Sequence, residues 1–220
     1  KKKKIKLSWT PGINKRSVSE ITLMFIINLL RNSYNAISDV KQGKWKKSLG
    51  SELTGKTIGI IGYGLIGKDL IKLLKPFKCK VYINDISREK KNIKKNNIYF
   101  TNKDKIYKNC DIITIHTPLT KKTRNLIGLV QLNKMKKNAI LINTSRGGII
   151  KENELYKFLL KNLQFKCAFD VFEKEPPKNT KFLNLNNFIC TPHIASSTAE
   201  SILKAGRISI KGLIKPNFYK

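Results

Sequence analysis

From Lys56 to Thr191 the chain alternates short apolar runs with segments of helical spacing, and this alternation limits the possible folds more than any other feature. TIGII (57–61), KVYIND (80–85), DIITIH (111–116), AILINT (139–144), QFKCAFDV (164–171) and NFICT (187–191) read as strands. LIGKDLIKLLK (65–75), closed by Pro76, and ENELYKFLLKN (152–162) read as helices. Near-continuous apolar strands are buried on both faces, and helices between them let the strands run parallel. The pattern therefore predicts an α/β fold with a parallel sheet covered on both faces. Two helical segments flank this block. One runs from about Lys15 to Gln42 and ends at the turn-like QGKW. The other is the amphipathic AESILKAGRISIKGLI (199–214). Both read as arms on a central core.

The 220 residues suffice for one large domain or two small ones. The longest apolar run, ITLMFIINLL (21–30), contains Asn28 and is too short to span a bilayer, so it predicts a buried helix. The initial KKKK has no small-residue cleavage site after it and reads as the end of a longer chain. The formal net charge of +31 invites a nucleic-acid or membrane reading. Only six of the 45 basic residues are Arg, however, and the lysines are scattered along the whole chain. Arg is the residue that forks onto bases and phosphates. The charge is read as compositional drift, with no specific nucleic-acid partner and no membrane association. Cys79, Cys110, Cys167 and Cys190 form neither a CxxC pair nor a Cys/His cluster, so no metal site is expected. Their apolar surroundings predict buried free thiols in a reducing compartment.

Four motifs carry chemistry. In GIIGYGLIG, Gly62-x-Gly64-x-x-Gly67 follows a strand and opens a helix. Gly62 permits the tight turn, Gly64 lets a pyrophosphate approach the backbone, and Gly67 packs helix against sheet. Free N–H groups at the helix start then face the phosphates. Asp85 ends the next strand, where a carboxylate binds ribose hydroxyls and repels a 2′-phosphate. This makes the block a Rossmann-type doubly wound sheet and favours NAD over NADP, with Arg88 close by as the opposing feature. NTSRGG (143–148) follows a strand, so Arg146 is expected at the ligand-binding edge, either gripping a carboxylate or as a surface Arg beside a Gly turn. FDVFEKEPP (169–177) and TPHIASS (191–197) place Glu175 and His193 after adjacent strands. A carboxylate paired to an imidazole orients the ring for proton transfer to a carbonyl oxygen. The second histidine, His116, also ends a strand. The loop after it, TPLTKKTRN, is basic, so His116 is expected to line the groove.

In this order, GYGLIG, IND, HTPLT, NTSRGG, DVFEKEP and TPHIA resemble the D-isomer-specific 2-hydroxyacid dehydrogenases, as do SVSEITLMFIINLLR and ELTGKTIGIIG. The resemblance implies a two-domain, cytoplasmic, dimeric enzyme that transfers hydride between NAD(H) and a small D-2-hydroxy or 2-oxo acid. It implies Arg146 as binder of the substrate carboxylate and carbonyl, His193 as acid/base and Glu175 as its partner. Gly62, Gly64, Leu65, Ile66, Gly67, Asp85, Thr117, Pro118, Thr144, Ser145, Asp170 and His193 would line the cofactor. Residues 1–14 would be the end of a substrate domain with its linker. Residues 15–197 would form the NAD-binding domain, with a dimerisation arm at about 15–50. Residues 198–220 would form a helix returning to the incomplete substrate domain. Formate dehydrogenases of the same superfamily carry Gln where this chain has Glu175. DVFEKEPP and the Ser-Thr-Ala-Glu segment are similar to phosphoglycerate dehydrogenase, which would place the reaction in serine biosynthesis. Hydroxypyruvate or glyoxylate reductase is the alternative, as is a non-catalytic NAD-binding scaffold or corepressor. VSE replaces the usual VAE, and Ala195 stands where Gly is common.

Overall fold

The computed structural model describes residues 10–87, 94–95, 97–177 and 180–214; Arg88 lies outside them. Its strands are β1 (Thr57–Ile61), β2 (Lys80–Asn84), β3 (Lys94–Lys95), β4 (Ile98–Phe100), β5 (Ile112–Ile115), β6 (Ile140–Asn143), β7 (Lys166–Phe169) and β8 (Phe188–Cys190). They form one sheet in the order β3-β4-β2-β1-β5-β6-β7-β8. All neighbours are parallel except β3, which pairs antiparallel with β4 at the edge. This is the expected Rossmann-type sheet. The strand order reverses between β1 and β5, which opens a crevice at their carboxyl ends.

The register then does something specific. Ile61 pairs with Asn84 and Ile115, Ile115 with Asn143, Asn143 with Phe169, and Phe169 with Cys190. The last residues of β2, β1, β5, β6, β7 and β8 therefore form one row. Each motif picked out in the sequence begins just after that row, so all of them emerge along one edge.

The helices are α1 (Lys15–Arg31), α2 (Ser33–Lys41), α3 (Leu65–Leu74), α4 (Lys103–Asn109), α5 (Leu129–Leu132), α6 (Glu152–Lys161) and α7 (Ala199–Ile214). Phe25, Ile26 and Leu29 of α1 and Leu70 and Leu74 of α3 pack on one face of the sheet. Ile106 and Tyr107 of α4 and Leu155, Phe158 and Leu159 of α6 pack on the other. Burying each such side chain contributes about 1.5–3 kcal/mol, so the strands are held by two cores rather than by their pairing alone.

The single helix expected over 15–42 is two. Asn32 adopts φ 53, a left-handed conformation that Asn tolerates better than most residues. The Asn28 carboxamide oxygen accepts bonds from Ser33 Oγ and Tyr34 N, both at 2.8 Å, and starts α2. The two halves have different fates. α1 is half embedded in the core, whereas α2 buries none of its residues and exposes Tyr34, Ile37 and Val40. The edge strands β3 and β4 and the helix α4 were not anticipated. α4 did carry a readable signal: Asn102 caps it by accepting a bond from Lys105 N at 2.9 Å.

Candidate active site

The glycines of the first turn divide their work. Gly62 has φ 104, and a Cβ there would overlap the carbonyl of His116. A Cβ on Gly67 would overlap the carbonyl of Gly62. Both are therefore required by the fold. Gly64 is exposed, and a Cβ on it would meet nothing in the protein. Its lack of a side chain is useful only if something outside the protein comes close. The first turn-closing bond of α3 runs from Lys68 N to Gly64 O, which leaves the N–H groups of Leu65, Ile66 and Gly67 without acceptors in the helix. Two more polar atoms nearby are buried and unpartnered among the described residues: His116 Nδ1 and Thr117 Oγ1. An open cradle, free helix N–H groups and orphaned polar atoms fit a dinucleotide. Pro118 is exposed beside them.

Asp85 Oδ2 accepts from Tyr63 N at 2.7 Å, and Oδ1 accepts from Ser87 N at 2.9 Å and from Ser87 Oγ at 2.5 Å. Partial burial pulls its pKa up, but the Ser87 and Tyr63 bonds and the charge of Lys68 outweigh this and hold it below the ordinary value. The carboxylate thus stays charged at the end of β2, with lone pairs left for ribose hydroxyls.

The turn after β6 is wired by Asn143. Its Oδ1 accepts from Ser145 N at 3.1 Å and Ser145 Oγ at 2.8 Å, while its Nδ2 donates to Arg146 O at 2.9 Å. The Ser145 hydroxyl is thus engaged within the turn. The Thr144 hydroxyl meets Thr22 of α1 at 3.0 Å. The Arg146 side chain is exposed, and one guanidinium nitrogen donates to Ser145 O within the turn at 2.6 Å. A Cβ on Gly147 would overlap the carbonyl of Phe172. This backbone-on-backbone contact sets Arg146 against the loop that carries Glu175.

In that loop, Glu175 Oε1 accepts from Phe172 N at 2.9 Å, and Oε2 pairs with His193 Nδ1 at 2.7 Å. Desolvation pulls the Glu175 pKa up. The bonds to His193 and Phe172 and the charges of His193 and Arg146 pull harder, and the net shift is downward. His193 itself has φ 55, an uncommon conformation for a residue with a side chain. Asp170, almost fully buried, holds it there. Asp170 Oδ1 accepts from Thr191 Oγ1 at 2.6 Å and Ile194 N at 2.8 Å, and Oδ2 accepts from Ala195 N at 2.9 Å. These bonds bracket the histidine on both sides. The family resemblance implies a cofactor role for Asp170; what the structure shows is this latch. A cavity of about 440 Å³ lies against the pair, lined by Phe172, Pro176, Leu183 and Cys190.

His116 lies in a different environment. Its Nε2 pairs with the fully buried Thr114 hydroxyl at 3.0 Å, and burial pushes its pKa down to about 4. It is a neutral ring at the wall of the crevice.

Residues 23–195 match the family model for the D-isomer-specific 2-hydroxyacid dehydrogenase NAD-binding domain. The chain belongs to this family. Its fold is the family's NAD-binding domain, and NAD is the cofactor that fits its crevice. The chain is 36% identical to a hydroxypyruvate reductase of Thermotoga maritima, over 98% of this chain and 71% of that one. It is 40% identical to a D-3-phosphoglycerate dehydrogenase of Methanocaldococcus jannaschii, over 90% of this chain but only 38% of that one. Among solved structures, D-lactate dehydrogenase with NAD+ from Lactobacillus jensenii superposes with a TM-score of 0.85 at 27% identity, covering 96% of this chain and 68% of that one. D-lactate dehydrogenase from Aquifex aeolicus, complexed with NAD and lactic acid, gives 0.83 at 29% identity over 97% and 71%.

Among the described residues no helix is long and apolar enough to cross a membrane, and no group of His, Cys, Asp or Glu could hold a metal ion. Cys79, Cys110 and Cys167 are buried free thiols, and Cys190 is half-buried.

Proposed function

We propose that this chain carries the catalytic edge of a D-2-hydroxyacid dehydrogenase acting on a small 2-oxo or D-2-hydroxy acid. The observation that carries the reading is the 2.7 Å His193–Glu175 pair on the same edge as Arg146. NAD(H), when bound, supplies or accepts the hydride at C2 of the substrate. Arg146 grips the carboxylate in bidentate fashion and polarises the carbonyl. His193 Nε2, the ring nitrogen not engaged by Glu175, gives its proton to the carbonyl oxygen in reduction and takes it back in oxidation. Glu175 fixes the ring orientation and balances the imidazolium charge. Gly64, Leu65, Ile66 and Gly67 would bind the pyrophosphate and Asp85 the ribose. Thr117, Pro118, Thr144, Ser145 and Asp170 would line the nicotinamide end, Thr144 and Ser145 through their backbone because their hydroxyls are already used.

The phosphoglycerate dehydrogenase reading is favoured by DVFEKEPP and would place the protein in serine biosynthesis. The hydroxypyruvate or glyoxylate reductase reading is favoured by the greater share of the Thermotoga relative that the chain spans. A second copy of the chain on the exposed apolar face of α2 would give a homodimer, and the setting would be cytoplasmic. The test is NADH oxidation by the full-length protein with 3-phosphohydroxypyruvate, hydroxypyruvate and glyoxylate. Turnover that disappears in His193→Asn supports the assignment and ranks the substrates. NADH binding without turnover of any of the three moves the protein to a non-catalytic NAD-binding class.

A further inference from the structure

The face of α1 turned toward the core carries polar side chains at Arg16, Ser19 and Thr22. Ser19 and Thr22 are fully buried. Burying a hydroxyl is unfavourable unless it is bonded, so its partner indicates its role. Arg16 reaches Asp69 on α3 at 3.2 Å, and Ser19 Oγ lies 3.3 Å from Ile66 O in the first turn of α3. Thr22 instead reaches across to Thr144, in the turn before Arg146.

The direction of that bond follows from proton counting. Thr22 Oγ1 has one hydrogen, which it gives to Val18 O at 2.7 Å. Thr144 must therefore be the donor in the 3.0 Å contact. Asn143, Ser145 and Arg146 bond within the turn, and Thr144 is the member whose side chain leaves it for another element. Asn143 gives the turn its shape, and Thr144 anchors that shape to the rest of the molecule.

We propose that Thr22 is a positioning residue for Arg146: through Thr144 it fixes the turn that aims the guanidinium at the substrate carboxylate. This rests on the dehydrogenase reading above. In Thr22→Val the shape is kept but the acceptor is lost. Thr144, only 5% exposed, must then turn toward another acceptor and carry the chain before Arg146 with it. Because a small misplacement of a clamp is costly, kcat/KM should fall about tenfold. The loss should appear mainly as a raised KM for the oxo acid, with the NADH Kd within about twofold of wild type.

The experiment measures kcat and KM for hydroxypyruvate and glyoxylate, NADH Kd by fluorescence, and oxamate binding to the NADH-loaded protein. It uses full-length wild type, Thr22→Val, Thr22→Ser, Thr144→Val and the double valine variant. Support would be a matching KM increase in both single valine variants, no further loss in the double, and recovery in Thr22→Ser. Lowered stability with unchanged KM, or NADH affinity falling in step with KM, would overturn the proposal and leave the dehydrogenase reading intact. A wild type that reduces neither these acids nor 3-phosphohydroxypyruvate and does not bind oxamate would overturn that reading, and the proposal with it.

Discussion

The two halves of the carboxyl edge are built from different materials. Around β1 and β5 the crevice is made of backbone: a positive-φ glycine against the carbonyl of His116, an exposed glycine with nothing over it, and the N–H groups that open α3. Around β6, β7 and β8 the site is made of side chains that other side chains hold in place: Asn143 in the Arg146 turn, Asp170 around His193, and Glu175 on the imidazole. Each half has one histidine beside a Thr-Pro pair. His116, paired with a buried hydroxyl, is held neutral. His193, paired with a carboxylate, stays open to solvent. A histidine at a strand end is thus not a functional signal by itself. Its partner and its exposure decide whether it can trade protons.

The largest test of this contrast is removal of each ring. His193→Asn should lower kcat by about 10²–10⁴-fold with NADH affinity retained, the range expected for loss of a general acid. His116→Asn should leave kcat within an order of magnitude. An equal loss from both would break the comparison.

The glycines come next. Gly62→Ala combines a positive φ with an overlap against backbone, so thermal unfolding should show a loss on the order of 3 kcal/mol or more. Gly64→Ala should melt like wild type yet bind NADH about tenfold more weakly, because its Cβ meets only the ligand. If both variants lose stability alike, the division between fold glycine and ligand glycine is wrong.

Glu175→Gln keeps the shape but not the charge, and kcat should fall by about 10–100-fold. The sign of the pH effect follows from the depressed Glu175 pKa. The carboxylate persists as pH falls to its ordinary value of 4.5 and is lost only below it, so its contribution is present above that range. An acid limb reporting its protonation should be absent from the Gln variant's profile.

The smallest effect concerns His116. Its folded pKa of about 4 lies below the ordinary 6.5, so the unfolded chain binds the extra proton. Stability should be complete above pH 6.5 and decline as pH falls toward 4. The partly exposed ring limits the contribution to on the order of 2 kcal/mol by linkage. Denaturant titrations across that window should be flatter in His116→Asn than in wild type.

Several features were legible because they are local. The six apolar strands, the glycine turn with Asp85 after it, and the Glu175–His193 pairing all followed from spacing and residue type. So did the expectation that Arg146 would lie on the ligand edge. The break at Asn32 was missed because helical periodicity continues across it. The edge strands β3 and β4 were missed because KKNNIYF has too short an apolar run to stand out. No spacing rule connects Asp170 to the N–H groups of Ile194 and Ala195, or Thr22 to Thr144, since these partners lie far apart in the chain and meet only when the sheet forms.

The sequence by itself determined the parallel sheet and its glycine turn, because apolar periodicity and glycine stereochemistry act over a few residues, and it named Glu175 and His193 as partners from the ends of adjacent strands. Only the tertiary structure decided the rest. Strand register placed six motifs in one row, and packing gave His116 and His193 opposite environments. A long-range bond between two threonines tied the turn before Arg146 to α1, because a buried hydrogen bond is fixed by where the donor lies in space and not by where it lies in the chain.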